Sequence, residues 1–315
     1  MCYTAKVNAK INLCLDVKAK RPDGYHEIDS LFHSIQLSDT LSIKKANKKA
    51  IYSKNKQIPL NRNNVVLKAI LTLERDVGRE LNCTFSLKKN IPVSAGLGGG
   101  SANAAGALLL ANKLFDLGLT IEELALTAKK VGADVPFMLY GGSCLVRGIG
   151  EKVTRSVPAP PWGLLLIKPP FGIRTKVAYE LLDNESKALL HFNPLEVEKA
   201  IVSRDVDKVK KEIGNTFTEP ILKKCPSLRV ITDTLGEMGV EQVNISGSGP
   251  TLYALTENCN IIEELEDRLK DKIPKWKWPE NHIAGKYNRG SLIVRGKNIK
   301  PWIHFTTLSS SGWRL

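Results

Sequence analysis

The sequence predicts an α+β protein organised as two domains. Three observations carry that expectation. The chain has 315 residues, and domains of ~100–200 residues make two of them the natural division. Segments that alternate apolar and polar positions are interleaved with segments whose apolar residues recur at helical spacing. Regular patterning also stops at Ser156–Pro161 (SVPAPP) and resumes at Gly163–Lys168 (GLLLIK), which reads as a boundary followed by a second α+β unit.

The elements follow in order. Tyr3–Val17 alternates as a strand, Arg21–His26 (RPDGYH) is a turn bent at Asp-Gly, and Leu31–Ile43 is further strand. Lys45–Asn63 is polar and lysine-rich and reads as a surface excursion. In Asn64–Gly78, residues Val65, Leu67, Ile70, Leu71 and Leu73 mark a helix that Asn63 or Asn64 can cap. Cys83–Lys88 alternates as a strand. Ser101–Phe115 is rich in alanine and leucine and reads as a helix capped by Ser101. A helix at Ile121–Lys130 takes Thr120 as its cap, Gly132–Phe137 is a loop, and Leu139–Val146 returns as strand. In the second unit, helices are expected at Thr175–Leu182, Pro194–Glu212, Pro226–Gly239 and Ile261–Lys270, with strand, glycine turn and strand over Val243–Leu255.

Composition narrows the function. Apolar residues make up 43% and charged residues 25%, the balance of a globular protein with a water-facing surface. Six scattered cysteines without C-x-x-C read as reduced thiols, not as a disulfide framework or zinc site. The five histidines lack metal spacing, Lys6 and Lys10 interrupt any leader-like start, and no apolar run approaches the ~20 residues of a membrane span. A cytoplasmic location is expected. The net charge is +14, and residues 270–315 hold ten Lys or Arg against two acids, together with Trp276, Trp278, Trp302 and Trp313. Basic residues among aromatics suit single-stranded nucleic acid. A basic surface beside an anionic substrate explains the same charge more simply.

The segment richest in chemistry is Ile91–Ala105, IPVSAGLGGGSANAA. Gly96, Gly98, Gly99 and Gly100 precede a helix, where bare backbone N–H groups and the positive end of the helix dipole converge on one spot. That spot suits phosphate. The loop is neither G-x-x-x-x-G-K-[ST] nor G-x-G-x-x-G. Four further features stand beside it. In AKINLCL, strand periodicity puts Lys10 and Asn12 on one face and Ile11 and Leu13 on the other. Asp134 lies in GADVPF, where an isolated loop carboxylate can equally cap or turn. Tyr25 and His26 follow a turn glycine, and Gly247 and Gly249 in SGSGP make a second tight turn.

In this order AKINL, DGYH, IPVSAGLGGGSANAA, GADVPF and SGSGP closely resemble the GHMP small-molecule kinases. The likeness extends from residue 4 to YNRGSLI, ending at residue 293. The glycine loop and SGSGP point to the superfamily. AKINL with DGYH before GADVPF points to the branch whose acceptor is 4-diphosphocytidyl-2-C-methyl-D-erythritol. The resemblance implies an N-terminal α+β domain like that of a ribosomal small-subunit protein (residues 1–158) and a ferredoxin-like α+β domain (159–294), with the active site in the cleft between them. Residues 295–315 would be an extra tail, a surface extension or disordered segment. The implied reaction uses ATP to phosphorylate the acceptor's 2-hydroxyl, a step of the non-mevalonate route to isoprenoid precursors.

Roles follow by resemblance. Asp134 is the candidate base, and Lys10 beside it would keep the carboxylate ionised and stabilise the transferring phosphoryl group. Asn12 would bind substrate or phosphate oxygens. Pro92, Val93, Ser94, Ala95, Gly96, Leu97, Gly98, Gly99, Gly100, Ser101 and Ala102 match the ATP phosphate loop, with Lys89 and Asn64 near the nucleotide. Tyr25 and His26 match the cytidine pocket, to which Phe32 and Tyr179 are further candidates. Magnesium is expected with ATP, held largely by phosphate and water. Ala102 stands where many members have a second Ser, and Asn103 where Asp is common. The expected partners are the two small molecules, without membrane or nucleic acid, and the chain would be a monomer or homodimer. The competing readings are another GHMP kinase, acting on homoserine, mevalonate or a sugar, and an RNA-binding protein reusing the ribosomal-type domain.

Overall fold

The computed structural model describes residues 1–185, 189–240, 242–257, 265, 268–269 and 301–314. β1 (Cys2–Lys20) and β2 (His26–Lys45) are long antiparallel strands joined through the Arg21–Tyr25 turn, and β3 (Ala50–Ser53) follows inside the segment expected to be only surface excursion. Then come α1 (Val65–Val77), β4 (Cys83–Lys88), α2 (Gly99–Phe115), α3 (Ile121–Val131) and α4 (Val135–Tyr140). β5 (Ser143–Gly148), β6 (Lys152–Arg155) and β7 (Gly163–Lys168) lead into α5 (Thr175–Asp183), α6 (Pro194–Val202) and α7 (Val206–Glu212). β8 (Gly214–Asn215), α8 (Thr218–Lys224), α9 (Pro226–Glu237), β9 (Asn244–Ile245), β10 (Leu252–Thr256), β11 (Trp302–Thr307) and β12 (Trp313–Arg314) follow. The strands form two sheets. One has eight strands along the path β12-β1-β2-β4-β3, with β5, β6 and β8 attached, and the other has the order β11-β7-β10-β9.

Local chemistry explains the boundaries. Asn64 caps α1 by accepting from the Val66 N–H, and Gly78 closes the helix in the left-handed region. Thr120 and Glu123 form a reciprocal capping box on α3. Helix α2 begins at Gly99, two residues before the expected start, with Gly98 in the cap position at φ 67° and no side-chain cap. Ser101 therefore sits inside the first turn and does not cap. GADVPF is not all loop: Pro136 suits a first helical turn, and Val135 opens α4 with Asp134 at the cap position, its side chain uncommitted to capping. The expected helix over Pro194–Glu212 is broken, because Arg204 adopts φ 55° and Asp205 starts a new helix by accepting from the Asp207 and Lys208 N–H groups. The helix expected at Ile261–Lys270 falls largely outside the described residues, as do Trp276, Trp278 and YNRGSLI.

Residues 301–314 are not a loose extension. β11 pairs with β7 from Trp302↔Lys168 to Thr307↔Gly163, and β12 pairs with β1 at Lys6↔Arg314 and Val7↔Trp313. Their backbone groups satisfy strand edges of both sheets, which is why this stretch is ordered despite its basic surroundings in sequence.

Two apolar clusters meet at β1. Ala5, Val7, Leu15 and Val17 pack in one with α1–α4, while Ala9, Ile11 and Leu13 pack in the other with Leu164, Leu166, Tyr253 and Leu255 of the second sheet. A strand shows alternate residues to one face, so Val7 and Ala9 would share a cluster if β1 were regular. Register shifts against β2 between Asn8 and Lys10, and again between Asn12 and Cys14, reverse the faces. Between these shifts Lys10 and Asn12 lie opposite Ile11 and Leu13, as alternation predicts. Tyr253 then pins the middle of β1, its buried hydroxyl donating to the Asn12 carbonyl at 2.8 Å.

Candidate active site

A cleft of about 1030 Å³ opens along β1 between the two sheets' loops. Its floor is the glycine loop between β4 and α2. The loop is fixed from two sides. Gly96 has φ 75°, and a β-carbon there would stand 2.1 Å from the Ser246 carbonyl oxygen, while Ser246 Oγ donates to the Gly96 carbonyl at 2.9 Å. The SGSGP turn thus clamps the loop from the second unit. At Gly98, φ 67°, a β-carbon would meet Met138 Cε at 2.3 Å and Lys10 Cγ at 3.0 Å, so a side chain there would strain the backbone, push Met138 aside and crowd Lys10.

From below, Asp39 holds the loop's entrance. This fully buried carboxylate accepts from Lys89 Nζ at 2.5 Å, from the Asn90 and Ile91 N–H groups at 2.7 and 2.8 Å, and from Asn103 Nδ2 at 2.8 Å. Lys89 also donates to the Ile91 carbonyl, and burial pulls its pKa below the ordinary lysine value against the pull of Asp39. Lys89 and Asn64 both line the cleft, yet their polar atoms are engaged: Asn64 Oδ1 caps α1 and its Nδ2 donates to the Pro59 carbonyl.

Lys10 Nζ lies 3.7 Å from Asp134 Oδ2, donates to Asn12 Oδ1 at 2.7 Å and stands 4.2 Å from the Phe32 ring centroid. Burial lowers the Lys10 pKa, and the Asp134 carboxylate opposes that shift. Asn12 in turn donates to Ser30 Oγ. Asp134 is partly open to the cleft while Lys10 is buried, an arrangement in which the acid reaches a ligand and the amine backs it. The SGSGP turn approaches the same pair, since a β-carbon on Gly247 would lie 3.5 Å from Asn12 Oδ1 and 3.6 Å from Lys10 Nζ.

Tyr25, His26 and Tyr179 line the same cleft. Tyr25 is exposed on the cleft wall. His26 stacks on Tyr179 with centroids 4.8 Å apart, and Tyr179 meets the Phe217 ring edge-on. Burial pushes the Tyr179 phenol up to about 12, so it remains a neutral hydroxyl. His26 Nε2 is 2.8 Å from Asp183 Oδ1, and Lys20 Nζ donates to Asp183 Oδ2 at 2.5 Å. The hydrogen bond from Lys20 is the main reason that Asp183 is held below the usual carboxylate range.

The cleft therefore gathers Lys10, Asn12, Tyr25, His26, Phe32, Asn64, Lys89, every residue from Pro92 to Ser101, Asp134 and Tyr179. Ala102 is the exception. Its N–H donates to the Gly98 carbonyl and its methyl is in the core, so the missing hydroxyl of this position faces packing, not the cleft. Sequence reading missed Asp39 and Asp183, and the hold of Asn103 on Asp39. Asp39 and Asp183 lie far in sequence from the groups they hold, and no local pattern marks them.

A two-domain kinase architecture is what this fold and cleft define. Models of the GHMP kinases N terminal domain and GHMP kinases C terminal match residues 64–142 and 197–275. The 4-diphosphocytidyl-2-C-methyl-D-erythritol kinase of Geobacillus sp. (strain WCH70) is 37% identical over 272 residues, covering 86% of this chain and 93% of its own. The kinase of the same name from Clostridium perfringens (strain SM101 / Type A) is 35% identical over 289 residues, covering 91% and 99%. A crystal structure of a 4-(cytidine 5'-diphospho)-2C-methyl-D-erythritol kinase superposes with a TM-score of 0.73 at 25% identity, over 98% of this chain and 99% of that one. A homoserine kinase from Cytophaga hutchinsonii shares the fold at the same TM-score and 18% identity. The chain belongs to the GHMP kinase family, among its 4-diphosphocytidyl-2-C-methyl-D-erythritol kinases.

Proposed function

We propose that this protein transfers the γ-phosphoryl group of ATP to the 2-hydroxyl of 4-diphosphocytidyl-2-C-methyl-D-erythritol, giving ADP and the 2-phosphate. The observation that carries the reading is one cleft holding three parts: a glycine loop at a helix N-terminus, a Lys–Asp pair, and a stacked His–Tyr wall. The loop's amides receive the ATP phosphates, where the helix dipole favours anions. Asp134 orients the acceptor hydroxyl and takes its proton as the oxygen bonds to the γ-phosphorus. The bond from that phosphorus to the bridging oxygen breaks, and the electron pair leaves with ADP. Lys10 keeps Asp134 ionised and offsets charge on the transferring group. Tyr25 and Tyr179 offer ring faces to the cytosine, and His26, with one nitrogen engaged by Asp183, has the other for the base edge.

Among the described residues no group of three His, Cys, Asp or Glu side chains could hold a metal by itself. A single carboxylate, Asp134, in a cleft that Ser101 also lines, fits magnesium that arrives with ATP and keeps phosphate and water as most of its ligands. When bound, it would neutralise charge on the phosphate oxygens. Nothing in the described residues crosses a bilayer as a long apolar helix. We read residues 1–158 and 159–294 as the two domains.

The test is ADP release with ATP, magnesium and the cytidyl acceptor, beside homoserine and mevalonate. Turnover confined to the cytidyl acceptor, lost in Asp134→Asn and Lys10→Ala with folding preserved, is expected. Near-normal turnover in either variant refutes its role, and preference for another alcohol refutes the acceptor.

A further inference from the structure

The backbone of β1 is shared between two partners at its first irregularity. There the strand leaves register with β2 between Asn8 and Lys10. The Lys10 N–H turns to the Leu97 carbonyl of the glycine loop at 3.1 Å, while the Asn8 N–H turns the other way, to the Gly312 carbonyl at 2.7 Å. Asn8 also spends its side-chain amide on the same partner, donating to Ser309 Oγ at 3.1 Å and the Ser311 carbonyl at 2.9 Å. Ser34, the cross-strand neighbour of Lys10, accepts from the Ser309 N–H at 2.8 Å.

The same short segment grips α4 from its far end. Trp313 Nε1 donates to the Leu139 carbonyl at 3.0 Å. Gly312 lies so close that a β-carbon on it would stand 2.7 Å from Gly141 Cα and 3.0 Å from the Met138 carbonyl oxygen. Helix α4 has only six residues and carries Asp134 at its start. Lys10 and Asp134 thus sit on two different elements, and residues 308–314 tie those elements together a few residues from each.

We propose that residues 308–314 are a positioning strap that sets the Lys10–Asp134 separation, with Asn8, Gly312 and Trp313 as its positioning residues. This rests on the reading of Lys10 and Asp134 as the reacting pair. None of the three residues touches the cleft. Their effect runs through β1 and α4, so they should govern the chemical step and leave both binding sites intact. Misplacing a reacting group by about 1 Å can cost on the order of a hundredfold in rate.

The experiment compares full-length wild type with Gly312→Ala and the milder Trp313→Phe, which keeps a ring and loses the indole donor. Rates use whichever alcohol the wild type turns over, so an error in the proposed acceptor changes the substrate and leaves the comparison standing. Gly312→Ala is expected to lower kcat about ten- to a hundredfold, with KM for ATP and acceptor within about twofold, and to move the pH profile of kcat; Trp313→Phe should do the same more weakly. Hydrogen exchange on the free proteins gives a second, activity-independent readout: faster exchange at Asn8–Lys10 and Val135–Gly141, unchanged at Gly96–Ser101. Wild-type kcat in both variants, a proportional rise in KM, or unchanged exchange at α4 overturns the proposal.

Discussion

Asp39→Asn removes one charge and keeps the shape, which makes its consequence calculable. The introduced amide's oxygen can still accept from the Asn90 and Ile91 N–H groups, the bonds now made by Asp39 Oδ1. Its nitrogen would face Lys89 Nζ and Asn103 Nδ2, both donors that now bond Asp39 Oδ2. The ammonium of Lys89 is almost completely buried and would lose its counter-charge. Leaving one partner of a buried pair alone costs about 3–5 kcal/mol, a large share of the roughly 5–15 kcal/mol that holds a domain folded. Urea unfolding reads the loss directly, and KM for ATP should rise because the loop entrance is what Asp39 holds. Pairing the change with Lys89→Met should recover part of the loss, since the stranded charge is then gone. The pH dependence has a definite sign. Lys89 is already below its ordinary value, and without Asp39 both forces that raise it disappear. The unfolded chain then holds more protons than the folded one over a wider window below pH 10.5, so the variant gains stability as pH rises through it. A loss under about 1 kcal/mol with unchanged KM for ATP would refute the reasoning.

Two other perturbations test separate parts of the molecule. His33 is fully buried, with Nδ1 at the Ser34 carbonyl and Nε2 accepting from the Ala159 N–H, and burial lowers its pKa from 6.5 to about 4. The unfolded chain takes a proton that the folded one refuses, so stability falls as pH drops from 6.5 toward 4; between pH 7 and 5 this single group accounts for about 2 kcal/mol, and urea midpoints of wild type and His33→Gln should converge at the lower pH unless His33 is not the cause. Tyr25→Ala should raise KM for the cytidyl acceptor more than KM for ATP, and equal effects would remove Tyr25 from the base-binding wall.

Sequence patterning made the local parts of this structure legible. Thr120 is legible as a cap, and the α1 cap is narrowed to Asn63 or Asn64, because capping involves residues two or three positions apart; the structure selects Asn64. Lys10 and Asn12 were assigned a common face correctly, although two register shifts around them alter the pattern on either side. The glycine loop announced itself through composition, but its helix starts earlier than Ser101 suggested, because glycines that tolerate close packing also allow the first turn to form over them. What stayed hidden was long-range: Asp39 beneath the loop, Asp183 behind His26, and the return of residues 301–314 to both sheets. The last reads in sequence as the end of a basic, aromatic stretch, and only pairing with β1 and β7 reveals it as structure.

Order of synthesis gives the register shift in β1 another meaning. Asn8 is bonded to a serine 301 positions later, so a ribosome makes one half of this junction that many residues before the other. Closing so long a loop costs little more than closing one half its length, since the entropy grows only with the logarithm of the span. The delay is nevertheless unavoidable. Until residues 309–312 exist, the Asn8 N–H and side-chain amide lack the partners they have in the folded chain, so the tie between β1 and α4 cannot close before this stretch has been made.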